Sequence, residues 1–303
     1  MYHLWAFKVC GCRQILTNNL SHYTVYKRAD IADTYNDFEC KVTDAMNQNI
    51  NGTVMRNADD GTLRRYRLAM SVTGEYTQYF GGTKANALAA INATMTRVNG
   101  VFENDFNSTM VLISNTDAVI YTNASTDPYS TSDSQWNSQL QSTLNSVIGS
   151  ANYDIGHLMG ATGNNGNAGC IGCVCVNNQK GSGYTTSTVP TGDSFDIDFV
   201  AHEMGHQFGA NHTFTFSNES GTGAQMEPGS GSTIMGYAGI TGATDVQSNS
   251  DPYFHARSIE QVTNYIKTTS CQTNITTGNA VPTANAGNDY TIPKGTPFVL
   301  TGA

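Results

Sequence analysis

The chain has 303 residues, 39% of them hydrophobic and 13% charged, which is long enough for one large domain with a full core and pieces of others. A net charge of -9 with only 15 Lys plus Arg leaves no basic surface to hold a phosphate backbone, so nucleic acid is not expected as a partner. No run approaches the roughly 18 to 20 apolar residues of a membrane span, and low charge with seven Cys fits a secreted protein in an oxidising compartment.

The opening "MYHLWAFKVC" lacks a basic stretch followed by an apolar core, so it does not read as a signal peptide. Residues 1 to 60 show no sustained periodicity beyond "HYTVYKR" at 22 to 28, and are expected to be a leader or pro-segment, with "MRNADDGTLRR" (Met55 to Arg65) as a plausible place of removal. A core begins at "LRRYRLAMSV", where Leu68, Met70 and Val72 alternate as in a strand. Leu88, Ile91, Met95, Val98 and Phe102 then recur at helical steps, and "STMVLIS" follows as a buried strand. A second helix is predicted from an N-cap at Asp133, with Trp136, Leu140, Leu144, Val147 and Ile148 on one face and a stop at Gly149. "YDIGHLMG" and "AGCIGCVCV" read as two short strands, giving the order strand, helix, strand, helix, strand, strand, helix of an α/β sheet layered with helices.

The next helix, Phe195 to Phe208, carries "HEMGHQFGANH". His202 and His206 are four positions apart, so both imidazoles leave one face about a turn apart and can grip one ion. Glu203 stands beside the first of them, Gly209 can turn the chain sharply, and His212 can return as a third ligand. Three neutral nitrogens and an open fourth position suit a catalytic zinc, whereas a structural zinc is closed by four protein ligands. Five fixed identities at about one in twenty each, tried over about 300 starts, arise by chance on the order of once in ten thousand. Asp196 and Asp198 flank the helix start, where capping accounts for them. His3, His22, His157 and His255 read as ordinary histidines. From Thr213 to Gly242 the chain is rich in Gly and Ser, and so long an irregular stretch usually serves a site. A last helix runs from about Ser258 to Lys267, and "QTNITTGNAVPTANAG" (272 to 287) reads as a polar linker. The final "YTIPKGTPFVLTGA" reads as two strands without the rest of a sheet, so both ends look like cuts through a longer precursor.

The pattern H-E-x-x-H-x-x-G-x-x-H, filled by His202, Glu203, His206, Gly209 and His212, resembles the metzincin zinc-peptidase signature. "GSTIMGYAG" supplies Met235 where that clan has its Met-turn. "FVAHEMGHQFGANHTF", "EPGSGSTIMGYAG" and "SDPYFHARSIEQV" resemble the adamalysin/reprolysin-like group in its bacterial secreted form, and the blocks after Gly229 favour it over a pappalysin-like peptidase. The resemblance covers roughly residues 60 to 275. It implies a metzincin α/β fold: a twisted, mainly parallel sheet with helices, the active-site helix, and a small irregular subdomain after His212. It also implies a zinc-dependent endopeptidase acting on proteins or peptides bound in extended form, in which zinc activates a water and Glu203 is the general base.

Tyr237 stands where related astacins and serralysins place a tyrosine that ligates zinc or stabilises the oxyanion; the other reading is a pocket-lining tyrosine. "AGCIGCVCV" resembles the edge strand that pairs with substrate, with a strand buried for packing alone as the other reading. The resemblance suggests a disulfide between Cys175 and Cys271, which on the chain-entropy view stabilises by roughly 4 to 5 kcal/mol. Cys170 and Cys173 form either a local bridge or part of a structural zinc site. In the leader, Cys40 or Cys10 can serve as the inhibitory thiol of a zymogen, Cys40 being nearer the catalytic part; pairing with each other is the competing reading. Calcium sites occur in related proteins, but their ligands find no match residue by residue. After the linker, "PTANAGNDYTIPKGTPFVLTGA" looks like the start of a PKD-type Ig-like domain, so the expected division is leader to 60, peptidase domain 61 to 275, then linker and a truncated module from 276 to 303. A monomer is expected. The rival from another class is a secreted adhesion module with a catalytically inactive zinc site; it would need a lost ligand or base, and the sequence keeps all four.

Overall fold

The structure is a computed structural model and describes residues 10–14, 23–27, 38–44, 60–217, 222–280, 289, 291–297 and 299. Of the stretch where removal was expected, residues 55–59 lie outside the described residues, while Thr62 to Arg65 begin a strand of the main sheet; most of the expected Ig-like module also lies outside them, as do His3 and His22.

Two N-terminal strands, β1 (Cys10–Gln14) and β2 (Tyr23–Lys27), pair antiparallel from Cys10↔Lys27 to Gln14↔Tyr23. A third N-terminal piece, β3 (Glu39–Cys40), belongs to the main sheet. That sheet also holds β4 (Thr62–Val72), β5 (Ser108–Leu112), β6 (Ile155–Gly160), β7 (Asn165–Asn167), β8 (Gly183–Thr186) and β9 (Thr273–Thr276). The order is β3-β7-β8-β6-β4-β5, with β9 on β4 as well. Pairing is parallel throughout except β7 with β8 and β9 with β4. The expected mainly parallel α/β sheet is therefore present. The segment read as a linker from 272 behaves differently: Thr273–Thr276 adds to β4 as a strand, because a β-branched run beside Thr62–Arg65, the part of β4 that β6 does not reach, finds a ladder there.

β4 shows why the alternation was only half visible. Tyr66 is buried between exposed Arg65 and Arg67, but from Leu68 to Val72 every residue is buried, Ala69 and Ser71 included. Both faces of the sheet are covered there, as parallel sheets require. One face carries α2 (Lys84–Phe106), started by Thr83, whose hydroxyl accepts the Asn86 N–H, and ended by Asn107 at φ 49°. The shorter α1 (Gly74–Tyr79) precedes it, and α2 buries Ile91, Met95, Val98, Phe102 and Phe106 against Leu68, Met70 and Met159. The other face carries α3 (Trp136–Thr143), continued by a wide turn over Leu144–Ile148, which packs Trp136, Leu140 and Leu144 on Ala69, Leu158 and Tyr184.

Asp133 does not cap α3. Its two oxygens instead take Lys41 Nζ at 2.9 Å and Asn165 Nδ2 at 2.8 Å, which fastens the leader and β7 to the same point.

Candidate metal centre

The metal-binding motif lies on one continuous helical stretch, but the first half is wound wide, as a π-helix over Ser194–Ala201, before α4 (His202–Gln207). Phe208 ends it and Gly209 turns the chain at φ 105°, a conformation a side chain resists. The stretch lies over the α2 side of the sheet, with Phe195, Val200, Met204 and Phe208 in that core.

Outer acceptors orient the three imidazoles. His202 donates from Nδ1 to the Ile234 carbonyl at 2.7 Å, and His206 from Nδ1 to the Ala210 carbonyl at 2.8 Å. His212 Nδ1 lies 3.0 Å from Asp44 Oδ1. Because carbonyls and carboxylates only accept, each ring carries its proton outward and turns an Nε2 lone pair inward. Those Nε2 atoms converge, with His212 3.3 Å from His202 and 3.1 Å from His206. Burial, with His212 beside it, lowers the His202 imidazole to about 3 against the help of the Ile234 carbonyl, and burial drives His206 well below its ordinary value. Neutral rings with facing lone pairs repel unless a cation lies among them.

The donor set fits zinc. Two nitrogens each about 2.0 to 2.1 Å from a tetrahedral ion stand about 3.3 Å apart, and a nitrogen and a thiolate sulfur about 3.6 Å apart. Cys40 Sγ is 3.6 Å from His206 Nε2, and the donor atoms of Cys40, His202, His206 and His212 all lie within 4.8 Å of one another. Burial pushes the Cys40 thiol up to about 12, which a coordinated cation reverses. Among the described residues, Cys40 is the free cysteine. Cys10, the other leader candidate, opens β1.

Glu203 is fully buried on the same turn, and neither carboxyl oxygen has a hydrogen-bond partner among the described residues. Burial pushes it up to about 8, and the neighbouring His212 opposes this. It lies against the backbone of β7 at Gly166, where a Cβ would collide with Oε1. The strand against the site is thus Asn165–Asn167, which lies between β3 and β8. The neighbouring "AGCIGCVCV" is not a strand; its amides at Gly172 and Cys173 instead cap the His206 and Gln207 carbonyls at 2.9 and 3.0 Å. Closing of Cys170 to Cys173, and of Cys175 to Cys271, gives that segment turns rather than a ladder and excludes a structural zinc on these thiols.

Met235 is buried beneath α4, its Sδ so near Gly205 that a Cβ there would meet it at 2.7 Å. The Tyr237 ring lies 5.7 Å from that of His202 and 4.9 Å from that of His212, and lines a pocket with His202, Phe199 and Ile240. Phe38 lines the same pocket, stacked on Phe199 at 3.8 Å. Asp198 supports the pocket wall by accepting the Ser250 N–H at 3.0 Å, and Asp196, in the first turn where a carboxylate favours the helix dipole, also accepts Thr94 Oγ1 at 2.8 Å.

Two positioning groups carry no motif. Gln207 ties α4 to the sheet, donating to the Gly156 carbonyl at 3.0 Å and accepting from His157 Nδ1 at 2.8 Å. Glu227 is buried and joins the strand after His212 to the segment before Met235: it accepts Thr213 Oγ1 and Thr233 Oγ1 at 2.5 Å each, and the Ser232 and Thr233 amides at 2.9 and 3.1 Å. Burial opposes its charge, but these donors outweigh burial and hold the carboxyl below its usual range. His255 caps α5 (Ala256–Ile266) by accepting the Arg257 N–H.

A family model described as "Metallo-peptidase family M12B Reprolysin-like" matches residues 62–266. None of the curated proteins matches the chain. Among similar solved structures, one described as "Structure of a chaperone-substrate complex" has a TM-score of 0.37 and 12% identity over 67% of this chain and 36% of that one. This chain spans little more than a third of that one, and the likeness carries no argument.

Proposed function

The chain belongs to the reprolysin-like M12B metallopeptidase family, a zinc-dependent one, and on that premise we propose that it is a secreted endopeptidase in which His202, His206 and His212 hold the zinc and Glu203 is the general base. The observation that carries this reading is the convergence of three inward Nε2 lone pairs beside a buried, unpartnered carboxyl. When bound, zinc supplies a Lewis acid for the scissile carbonyl and for water. Glu203 takes the proton that attack releases and returns it to the leaving amine. The substrate lies extended along β7, whose outer edge pairs with β3 in this chain, and places a side chain in the pocket that Phe38 and Phe199 line. Tyr237, whose ring borders those of His202 and His212, donates its hydroxyl to the developing oxyanion.

The leader makes the chain a zymogen. Cys40 takes the fourth position at the metal, and β3 and Phe38 cover the cleft. Two disulfides, and no helix among the described residues long and apolar enough to cross a membrane, agree with an extracellular site of action. The division into leader, peptidase domain and PKD-type module belongs to the same proposal.

The test is casein hydrolysis by the full chain before and after limited proteolysis of the leader, for wild type, Cys40→Ala and Glu203→Ala. Wild type is expected to be silent before and active after, Cys40→Ala to be active without the cut, and Glu203→Ala to lose about 100- to 10,000-fold with its zinc retained. A leader-free, zinc-loaded wild type that cleaves nothing would sink the peptidase reading. Unchanged latency in Cys40→Ala would sink the switch.

A further inference from the structure

Two of the three imidazoles are oriented by the catalytic domain itself, His202 by the Ile234 carbonyl and His206 by the Ala210 carbonyl. His212 differs. The oxygen against its Nδ1 is Oδ1 of Asp44, and the same oxygen accepts the His212 backbone N–H at 2.9 Å. Asp44 belongs to the leader, 168 residues away in the chain and four after Cys40. Its side chain is 3% exposed, and its Oδ2 is buried without a hydrogen-bond partner among the described residues. Burying a half-partnered carboxylate is unfavourable, so packing alone does not explain why the leader carries this residue inward.

The contact on His212 does explain it. A carboxylate on Nδ1 fixes the tautomer, holds the ring plane and strengthens the opposite nitrogen as a donor. Cys40 and Asp44 thus stand on opposite sides of one imidazole, the thiol within 4.8 Å of Nε2 and the carboxylate on Nδ1. We propose that Asp44 is a positioning residue of the metal centre: the leader supplies the outer carboxylate of His212, so that the uncut chain takes up and holds zinc more tightly than the chain from which the leader has been removed. The leader then both builds the site and closes it, Asp44 for the first task and Cys40 for the second. This rests on the zinc reading above.

The experiment uses the full, uncut chain loaded with zinc and follows transfer of the ion to an excess of a chromophoric chelator. It compares wild type, Asp44→Ala, Asp44→Asn and Lys41→Ala; the last breaks the leader's ion pair with Asp133 without touching His212. Asp44→Ala is expected to weaken zinc retention 10- to 100-fold, the usual effect of losing an outer-sphere partner. Asp44→Asn should recover most of it, because an amide oxygen still accepts both bonds, and Lys41→Ala should follow wild type. In nitrogen-labelled protein, the His212 Nδ1–H proton signal should persist in the Asn variant and exchange away in the Ala variant. Equal retention in wild type and Asp44→Ala would overturn the proposal, as would a Lys41→Ala variant that releases zinc as fast as Asp44→Ala. A wild type that takes up no zinc would overturn the metal reading itself, and this inference with it.

Discussion

Single side chains decide the charge balance around the site, and Glu227 shows how. Five donors converge on its two oxygens from segments that the chain brings together only after His212. Glu227→Ala strands these donors in the interior and is expected to lower stability on the order of 3 kcal/mol. Glu227→Gln should recover more than half, since its carbonyl still accepts the two amides and its NH₂ can donate to both threonine oxygens. Urea unfolding of the three proteins checks this, and equal losses in both variants would mean that charge rather than hydrogen bonding fixes the position.

At the scale of elements, the zinc helix is held from three sides, by Gln207 on the sheet, by the Gly172 and Cys173 amides at its end, and by Met235 below. Gly205 sits at the third contact. Alanine there gains about 1 kcal/mol of helix propensity, but its Cβ would meet Met235 Sδ at 2.7 Å and Phe254 Cε1 at 2.9 Å. Overpacking of a full core costs about 1 to 3 kcal/mol, so Gly205→Ala should lower the thermal midpoint. A raised midpoint would show that Met235 has room to retreat.

At the scale of the whole molecule, buried His157 and half-buried Asp105 make the fold respond to pH with opposite sign. Burial lowers His157 to about 4 from 6.5, with Gln207 opposing, so its contribution is present above 6.5 and is lost as pH falls through 4. Burial raises Asp105 to about 6 from 3.8, with the Phe254 amide opposing, so its contribution is present below 3.8 and is lost as pH rises through 6. Between those values the two slopes cancel. Asp105→Asn removes one of them and keeps an acceptor for the Phe254 N–H, so the unfolding free energy should then fall by about 1.4 kcal/mol per pH unit, relative to wild type, from pH 6 to 4. Parallel curves for the two proteins would refute the assignment. The same scale separates what could be read beforehand from what could not. Spacing along the chain determined the helices, the β4 strand and the return of His212 toward His202 and His206, because helical period and a glycine turn are local properties. It did not show which groups Asp133 and Asp198 would meet, or that residues after 272 rejoin β4. Those depend on neighbours distant in sequence: Lys41 and Asn165 for Asp133, Ser250 for Asp198, the first residues of β4 for Thr273–Thr276. The outer acceptors of the three histidines were equally hidden. Two are backbone carbonyls, which every residue has and no residue type announces, and the third is an aspartate that only folding carries across 168 residues to His212.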